Sequence, residues 1–170
     1  MWRFSLAVAL VTASVSTLAA EVVYSAAEEW IVTKHEIDGR VAAVRINAAL
    51  PALATKQEFG RSLKFTVPFN VHNDKPFPER YDREGLEKIE EAIESRLVET
   101  NAGVFATIIT TNNAREYLLY VSDTAQAQAI AERLVADIHH HKISFRLDSD
   151  PDWEAWSRYA REHAPGQKRP

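Results

Sequence analysis

The stretch LKFTVPFNV, residues 63–71, alternates apolar and polar side chains in the manner of a half-buried β-strand. Every odd position from Leu63 to Val71 is apolar, so these side chains share one face of the strand. Pro68 has no N–H to donate to a neighbouring strand, which predicts an unpaired or irregular side at that position. The pattern therefore predicts a sheet with a buried apolar face.

The residues that follow this strand show helical and strand-like patterns in turn. Leu86, Ile89, Ile93 and Leu97 recur every three or four residues, which is the apolar stripe of an amphipathic helix. Asp82 is the expected N-cap of this helix. The predicted elements are a strand at 63–71, a helix at 82–101, strands at 104–111 and 115–121, a helix at 123–138 and a strand at 142–147. This order is typical of the α+β ferredoxin-like split βαβ arrangement, an antiparallel sheet covered by two helices.

Two further elements flank this unit. Residues 30–47 predict an added N-terminal β-hairpin with Asp38-Gly39 at its turn. Residues 150–163 predict an added C-terminal helix, which begins with acidic side chains as helices commonly do. We expect residues 21–165 to form a single ferredoxin-like α+β domain, followed by a disordered tail at 166–170.

The first 20 residues have the pattern of a secretory signal peptide. Arg3 precedes an uncharged run at 4–20 that ends in small residues, and cleavage is expected after Ala19 or Ala20. The alternative is an uncleaved membrane anchor, but five Ser or Thr residues dilute the apolar run. The leader therefore predicts a periplasmic or secreted protein with no membrane attachment after cleavage.

The composition excludes several classes of function. Removing the leader removes one base, so the remaining chain carries 24 acids against 19 bases. Nucleic-acid or anionic-membrane binding needs a basic surface, and neither is expected here. The chain has no Cys, which excludes thiol and Cys-metal chemistry. It also lacks a Gly-rich phosphate loop and other cofactor motifs, so we expect no cofactor.

Three consecutive histidines at 139–141 follow the second predicted helix. If the backbone is extended there, His139 and His141 share a face and could bind one metal ion such as zinc, copper or nickel. The alternative is structural, because His at a helix C-terminus interacts with the unpaired carbonyls and the negative end of the dipole. A third metal ligand would have to come from His72, Asp137 or His163.

Aromatic residues offer a second candidate feature. Trp153 and Trp156 lie three residues apart on the predicted C-terminal helix, and Tyr117 and Tyr120 occupy opposite faces of one strand. The tryptophans are expected to dock the helix against the sheet. An exposed aromatic patch would instead mark a surface for a partner.

Several of these segments together resemble a known bacterial family. They are Trp30, the VRIN strand at 44–47, Pro76-Phe77-Pro78, REYLLY at 115–120 and DPDWEAW at 150–156. In this arrangement the chain resembles the domain-of-unknown-function 695 family, and distantly the ribonuclease E inhibitor B family. The pattern shared by the two families is R-E-x-x-x-Y followed by D-x-x-W, matched here by Arg115, Glu116, Tyr120, Asp150 and Trp153.

The resemblance implies a ferredoxin-like fold and a non-enzymatic role in binding a protein partner, with Arg115, Glu116, Tyr120 and Trp153 as the binding residues. We therefore expect an exported binding or regulatory module for an unknown protein partner. Its surface would combine the 72–82 loop with Arg115 and Glu116, since loops on a rigid scaffold commonly carry binding residues. The alternative is a metal-binding protein or metal-dependent hydrolase that uses the histidine segment.

Overall fold

The computed structural model describes residues 29–37, 39–70, 77–111 and 113–163. The predicted leader at 1–20, the tail at 166–170 and residues 72–76 of the 72–82 loop lie outside the described residues. The elements are β1 (Trp30–Ile37), β2 (Arg40–Asn47), α1 (Leu50–Leu53), β3 (Arg61–Pro68), α2 (Arg80–Ile93) with a π-helical turn at Glu94–Val98, β4 (Gly103–Thr110), β5 (Ala114–Val121), α3 (Thr124–Asp137), β6 (Ser144–Ser149) and α4 (Glu154–His163). Within these described elements, no helix combines the length and apolar character that a membrane span needs.

The strands form one six-stranded antiparallel sheet in the order β1-β2-β4-β5-β3-β6. The prediction of an α+β fold with an antiparallel sheet is therefore confirmed. β1 and β2 form the predicted N-terminal hairpin, and Gly39 in its turn has the positive φ of 75° that favours glycine. The hairpin joins the rest of the sheet through four residue pairs between β2 and β4.

α2 and α3 cover one face of the sheet. The apolar stripe of α2 is fully buried against β3 and β5, as the helical spacing predicts. α2 begins at Arg80 after an extended Glu79, so Asp82 lies in its first turn rather than at its N-cap. α3 is capped by Asp123, whose carboxylate accepts from the Gln126 N–H.

α1 and α4 lie on the opposite face of the sheet. The core on this side is formed by Leu50, Ala54, Phe59, Val104, Ala106, Leu118, Tyr120 and Trp153, with a second cluster of Ala42, Val44, Ile46, Ile109 and Ala160. All eight residues of β4 are buried because helices cover this strand from both sides. The C-terminal helix thus adds a third layer to the fold.

The start of α4 is fixed by one carboxylate. Asp150 accepts from the backbone N–H groups of Glu154 and Ala155, at 2.8 and 3.0 Å. The helix itself begins at Glu154, four residues after this acidic side chain. The intervening Trp153 has a positive φ of 56°, which turns its ring under the helix and into the core.

Candidate binding cleft

Two of the predicted binding residues, Tyr120 and Trp153, pack between the sheet and α4. Their rings stack at 5.2 Å and their exposed fractions are 0% and 2%. The Tyr120 hydroxyl donates to Asp150 at 2.7 Å, and the Trp153 indole N–H donates to the Phe59 carbonyl at 2.8 Å. These contacts are with the chain's own residues, so both side chains hold α4 on the sheet.

Arg115 and Glu116 lie on opposite faces of the sheet. Arg115 lies on the α2 side of the sheet. Its Nε donates to Thr110 Oγ1 of β4 at 2.9 Å, and its guanidinium lies 3.8 Å from Glu90 of α2. Glu116 points to the α4 side and pairs with Lys64 at 3.3 Å. The structure therefore brings together Glu116, Tyr120 and Trp153 on one face, but it does not bring Arg115 to them.

The histidines lie in the loop between α3 and β6. His139 is exposed, whereas the side chain of His141 is 5% exposed and rests on the first turn of α2. His141 Nε2 is 3.3 Å from Asp82 Oδ1, and the ring of Tyr81 stacks over it. Gly85 makes room for this ring, because a Cβ there would lie 2.2 Å from the His141 Cε1.

No group of three metal-ligating side chains forms among the described residues. Asp137, one possible third ligand, pairs with Arg96 at 2.8 Å. His72 lies outside the described residues, and the His163 side chain is also not described. The metal site at His139 and His141 stays a prediction.

A polar cleft opens beside α4, on the opposite side of the sheet from the histidines. Its volume is about 190 Å³, small compared with the roughly 300–1,000 Å³ of typical drug-sized ligand pockets. Four strands supply the floor and α4 supplies one wall. The lining residues are Ser62, Lys64, Thr107, Ile109, Glu116, Leu118, Arg146, Asp148, Ala155, Arg158 and Tyr159.

An irregularity in β4 aims one polar side chain into this cleft. The pairing of β4 with β5 shifts between Phe105 and Thr107, which is the signature of a β-bulge. Ala106 and Thr107 consequently both belong to the α4 side of the sheet. Thr107 is 0% exposed, and its hydroxyl has no hydrogen-bond partner within the described part of the chain.

The charged side chains of the cleft are mostly paired. Lys64 pairs with Glu116, and Arg146 with Asp148 at 2.5 Å. Among the described residues, Arg158 forms no salt bridge with a carboxylate. The cleft thus carries three basic groups against two acidic ones, and the surplus positive charge lies on Arg158.

Tyr159 adds a further donor at the α4 wall. Burial raises the pKa of its phenol, the nearby carboxylate of Glu116 raises it further, and Arg158 partly opposes the shift. The phenol therefore stays protonated at neutral pH and keeps its O–H. Together with Thr107 and Arg158 it makes the cleft richer in donors than in acceptors.

The lining residues include no histidine, cysteine or serine–base pair of the kind that activates a nucleophile. A cationic side chain without a carboxylate partner, beside an unpaired buried hydroxyl, suits the recognition of an anion rather than proton transfer. Sequence reasoning did not identify this site. The signal was available in the polar face of the 63–71 strand and in the single polar position within the apolar VFATII segment.

Comparison with models of protein families identifies a match over most of the described chain. The model of a family of unknown function, DUF695, matches residues 28–159. The chain belongs to the DUF695 family. The match runs from the residues before β1 to Tyr159 in α4, so it includes every lining residue of the cleft in this DUF695 protein. A search of curated proteins found no match.

Proposed function

We propose that this DUF695 protein is an exported, non-enzymatic binding module whose α4-side cleft holds a carboxylate group of its ligand. The observation that carries the proposal is the Thr107 hydroxyl. A buried hydroxyl without a partner is unfavourable by about 1–3 kcal/mol, so it is rare unless a ligand or water completes it. The β-bulge is what places this group at the cleft floor.

The charge of the cleft supports an anionic ligand. Lys64 and Arg146 already have carboxylate partners, and these pairs show that the cleft accommodates carboxylates beside its basic groups. Arg158 on the α4 wall is the remaining cationic group, since it forms no salt bridge with a carboxylate among the described residues. Hydrogen bonds to a charged acceptor contribute about 1.5–3 kcal/mol each, which makes a carboxylate the favoured occupant over a neutral group.

The proposal also includes the fold type of the domain and the location of the protein. We assign β3 to β6 with α2 and α3 to the ferredoxin-like type, and the order β4-β5-β3-β6 with both helices on one face supports this. The distant similarity to the ribonuclease E inhibitor B family is part of the same proposal. Export rests on the leader pattern of residues 1–20, and cell fractionation with and without that segment tests it.

The binding test uses glutarate as a free acid and a capped peptide with a single glutamate as the protein-borne form, both measured by calorimetric titration. Arg158→Gln is expected to weaken binding about tenfold, since about 1.4 kcal/mol corresponds to that factor. Arg161→Gln is the matched control, because Arg161 lies on the same helix outside the cleft. It should leave binding unchanged.

The outcomes separate the alternatives. Binding of the peptide but not of glutarate would identify a protein partner, and the reverse would identify a small acid. Binding of ethylammonium in place of both probes would assign the cleft to a cation through Glu116 and overturn the proposal. Equal affinity of the Arg158→Gln and Arg161→Gln variants would also overturn it, because the ligand would then bind elsewhere.

A further inference from the structure

β1 is an edge strand of the sheet formed by the described residues, and its outer side can be assigned residue by residue. The Ala48 N–H donates to the Glu29 carbonyl at 2.8 Å, so the backbone groups of residue 29 face β2. This direction alternates along an antiparallel strand. Val32, Lys34 and Glu36 therefore point their N–H and C=O groups away from β2, towards a side of β1 on which no described strand lies.

The side chains along this edge are exposed and carry opposite charges. Val32 is 69% exposed, and Val41, which lies opposite Glu36 in β2, is 46% exposed. Lys34 and Glu36 are exposed on the same face of β1. Among the described residues neither forms a salt bridge. A lone lysine at an edge discourages strand pairing, but a lysine and a glutamate two positions apart complement an antiparallel copy of themselves.

We propose that β1 pairs antiparallel with β1 of a second copy of this chain about a two-fold axis at residue 35. In this register Lys34 lies opposite Glu36 of the second copy, and the reverse pair is formed by symmetry. A register shifted so that the axis passes residue 34 would place Lys34 opposite Lys34, which is repulsive. The charges thus select one register, and the two six-stranded sheets become continuous.

The dimer leaves the candidate cleft open. β1 is at one end of the strand order, whereas the cleft is lined from β4, β5, β3 and β6 towards the other end. The proposal therefore stands independently of the ligand proposed for the cleft. It assigns the outer edge of the hairpin a role in self-association.

The test is a set of charge exchanges in the full chain, with mass measured by light scattering during gel filtration at low salt. The wild-type protein is expected to have the mass of two chains. Lys34→Glu and Glu36→Lys should each have the mass of one chain, because each places like charges opposite one another. An equimolar mixture of these two variants should regain the dimer mass, and so should the double variant.

Two results would overturn the proposal. A wild-type protein that stays monomeric at all accessible concentrations would exclude the dimer. Single variants that stay dimeric, or a mixture that stays monomeric, would exclude this register and this strand. Circular dichroism melting of each variant serves as the folding control, since exposed charge changes alter stability by no more than about 0.5 kcal/mol.

Discussion

Thr107 and Thr110 form a natural matched pair for testing the central observation. Both lie in β4 and both are buried, with exposed fractions of 0% and 6%. The Thr107 hydroxyl has no partner within the described residues, whereas the Thr110 hydroxyl accepts from Arg115 Nε at 2.9 Å. Replacement by Val keeps the shape of each side chain and removes only the hydroxyl.

The two substitutions are expected to change the free energy of unfolding in opposite directions. Thr107→Val removes a buried polar group that is otherwise unpaired, so it should stabilise the ligand-free protein by about 1 kcal/mol. Thr110→Val leaves the charged Arg115 donor without its acceptor. The lost charge-assisted bond should destabilise the protein by about 1–2 kcal/mol, because Glu90 at 3.8 Å compensates only in part.

Urea unfolding of both variants in buffer free of carboxylates measures these differences. Equal slopes in denaturant are required for the comparison, since a changed slope would indicate a different denatured state. If Thr107→Val destabilises the protein as much as Thr110→Val, the Thr107 hydroxyl has a partner and the argument for the cleft fails. Saturating ligand, at about 100 times its Kd, should add about 2.7 kcal/mol to the wild type and less to Thr107→Val.

Three further predictions concern the core and its polar contacts. Gly85→Ala should destabilise the protein by about 1–3 kcal/mol, because the added methyl group clashes with the His141 ring. In a His141→Ala background the same change should become neutral or stabilising. Equal effects in both backgrounds would refute the contact. Tyr120→Phe should lower the unfolding free energy by about 1–2 kcal/mol, because Asp150 loses the hydroxyl that donates to it at 2.7 Å; a thermal melt unchanged from wild type would contradict this. Burial raises the pKa values of Tyr117 and Tyr120, so the stability they contribute is complete below pH about 10 and is lost as the pH rises above it. Tyrosinate absorbance should then appear together with the loss of circular dichroism. Ionisation of these tyrosines before unfolding would be inconsistent with their burial.

Periodicity alone predicts most of the elements of this fold. The alternation from Leu63 onward and the stripe of Leu86, Ile89 and Ile93 identify a strand and a helix that the structure contains. These patterns are local, so they can be recognised without knowing which distant segments pack against them. The start of α2 was misplaced because Asp82 has the chemistry of an N-cap but instead contacts His141, which is 59 residues away in sequence.

The cleft could not be predicted in the same way, because it depends on packing between distant segments. The burial of Thr107 requires α4 on top of β4, and its orientation requires a bulge that the sequence around Ala106 does not signal. The separation of Arg115 from Glu116 was predictable. Adjacent residues of a strand point to opposite faces, so a shared surface for the two was excluded once REYLLY was assigned to a strand.

The position of α4 in the chain has a consequence for the order in which the protein becomes functional. The wall of the cleft is the last described helix, and it is held by the Trp153 indole on Phe59 and the Trp156 indole on Asn47. A nascent chain that ends before Glu154 has the strands of the sheet but not this wall. The binding proposed for the cleft would therefore require that synthesis has passed α4.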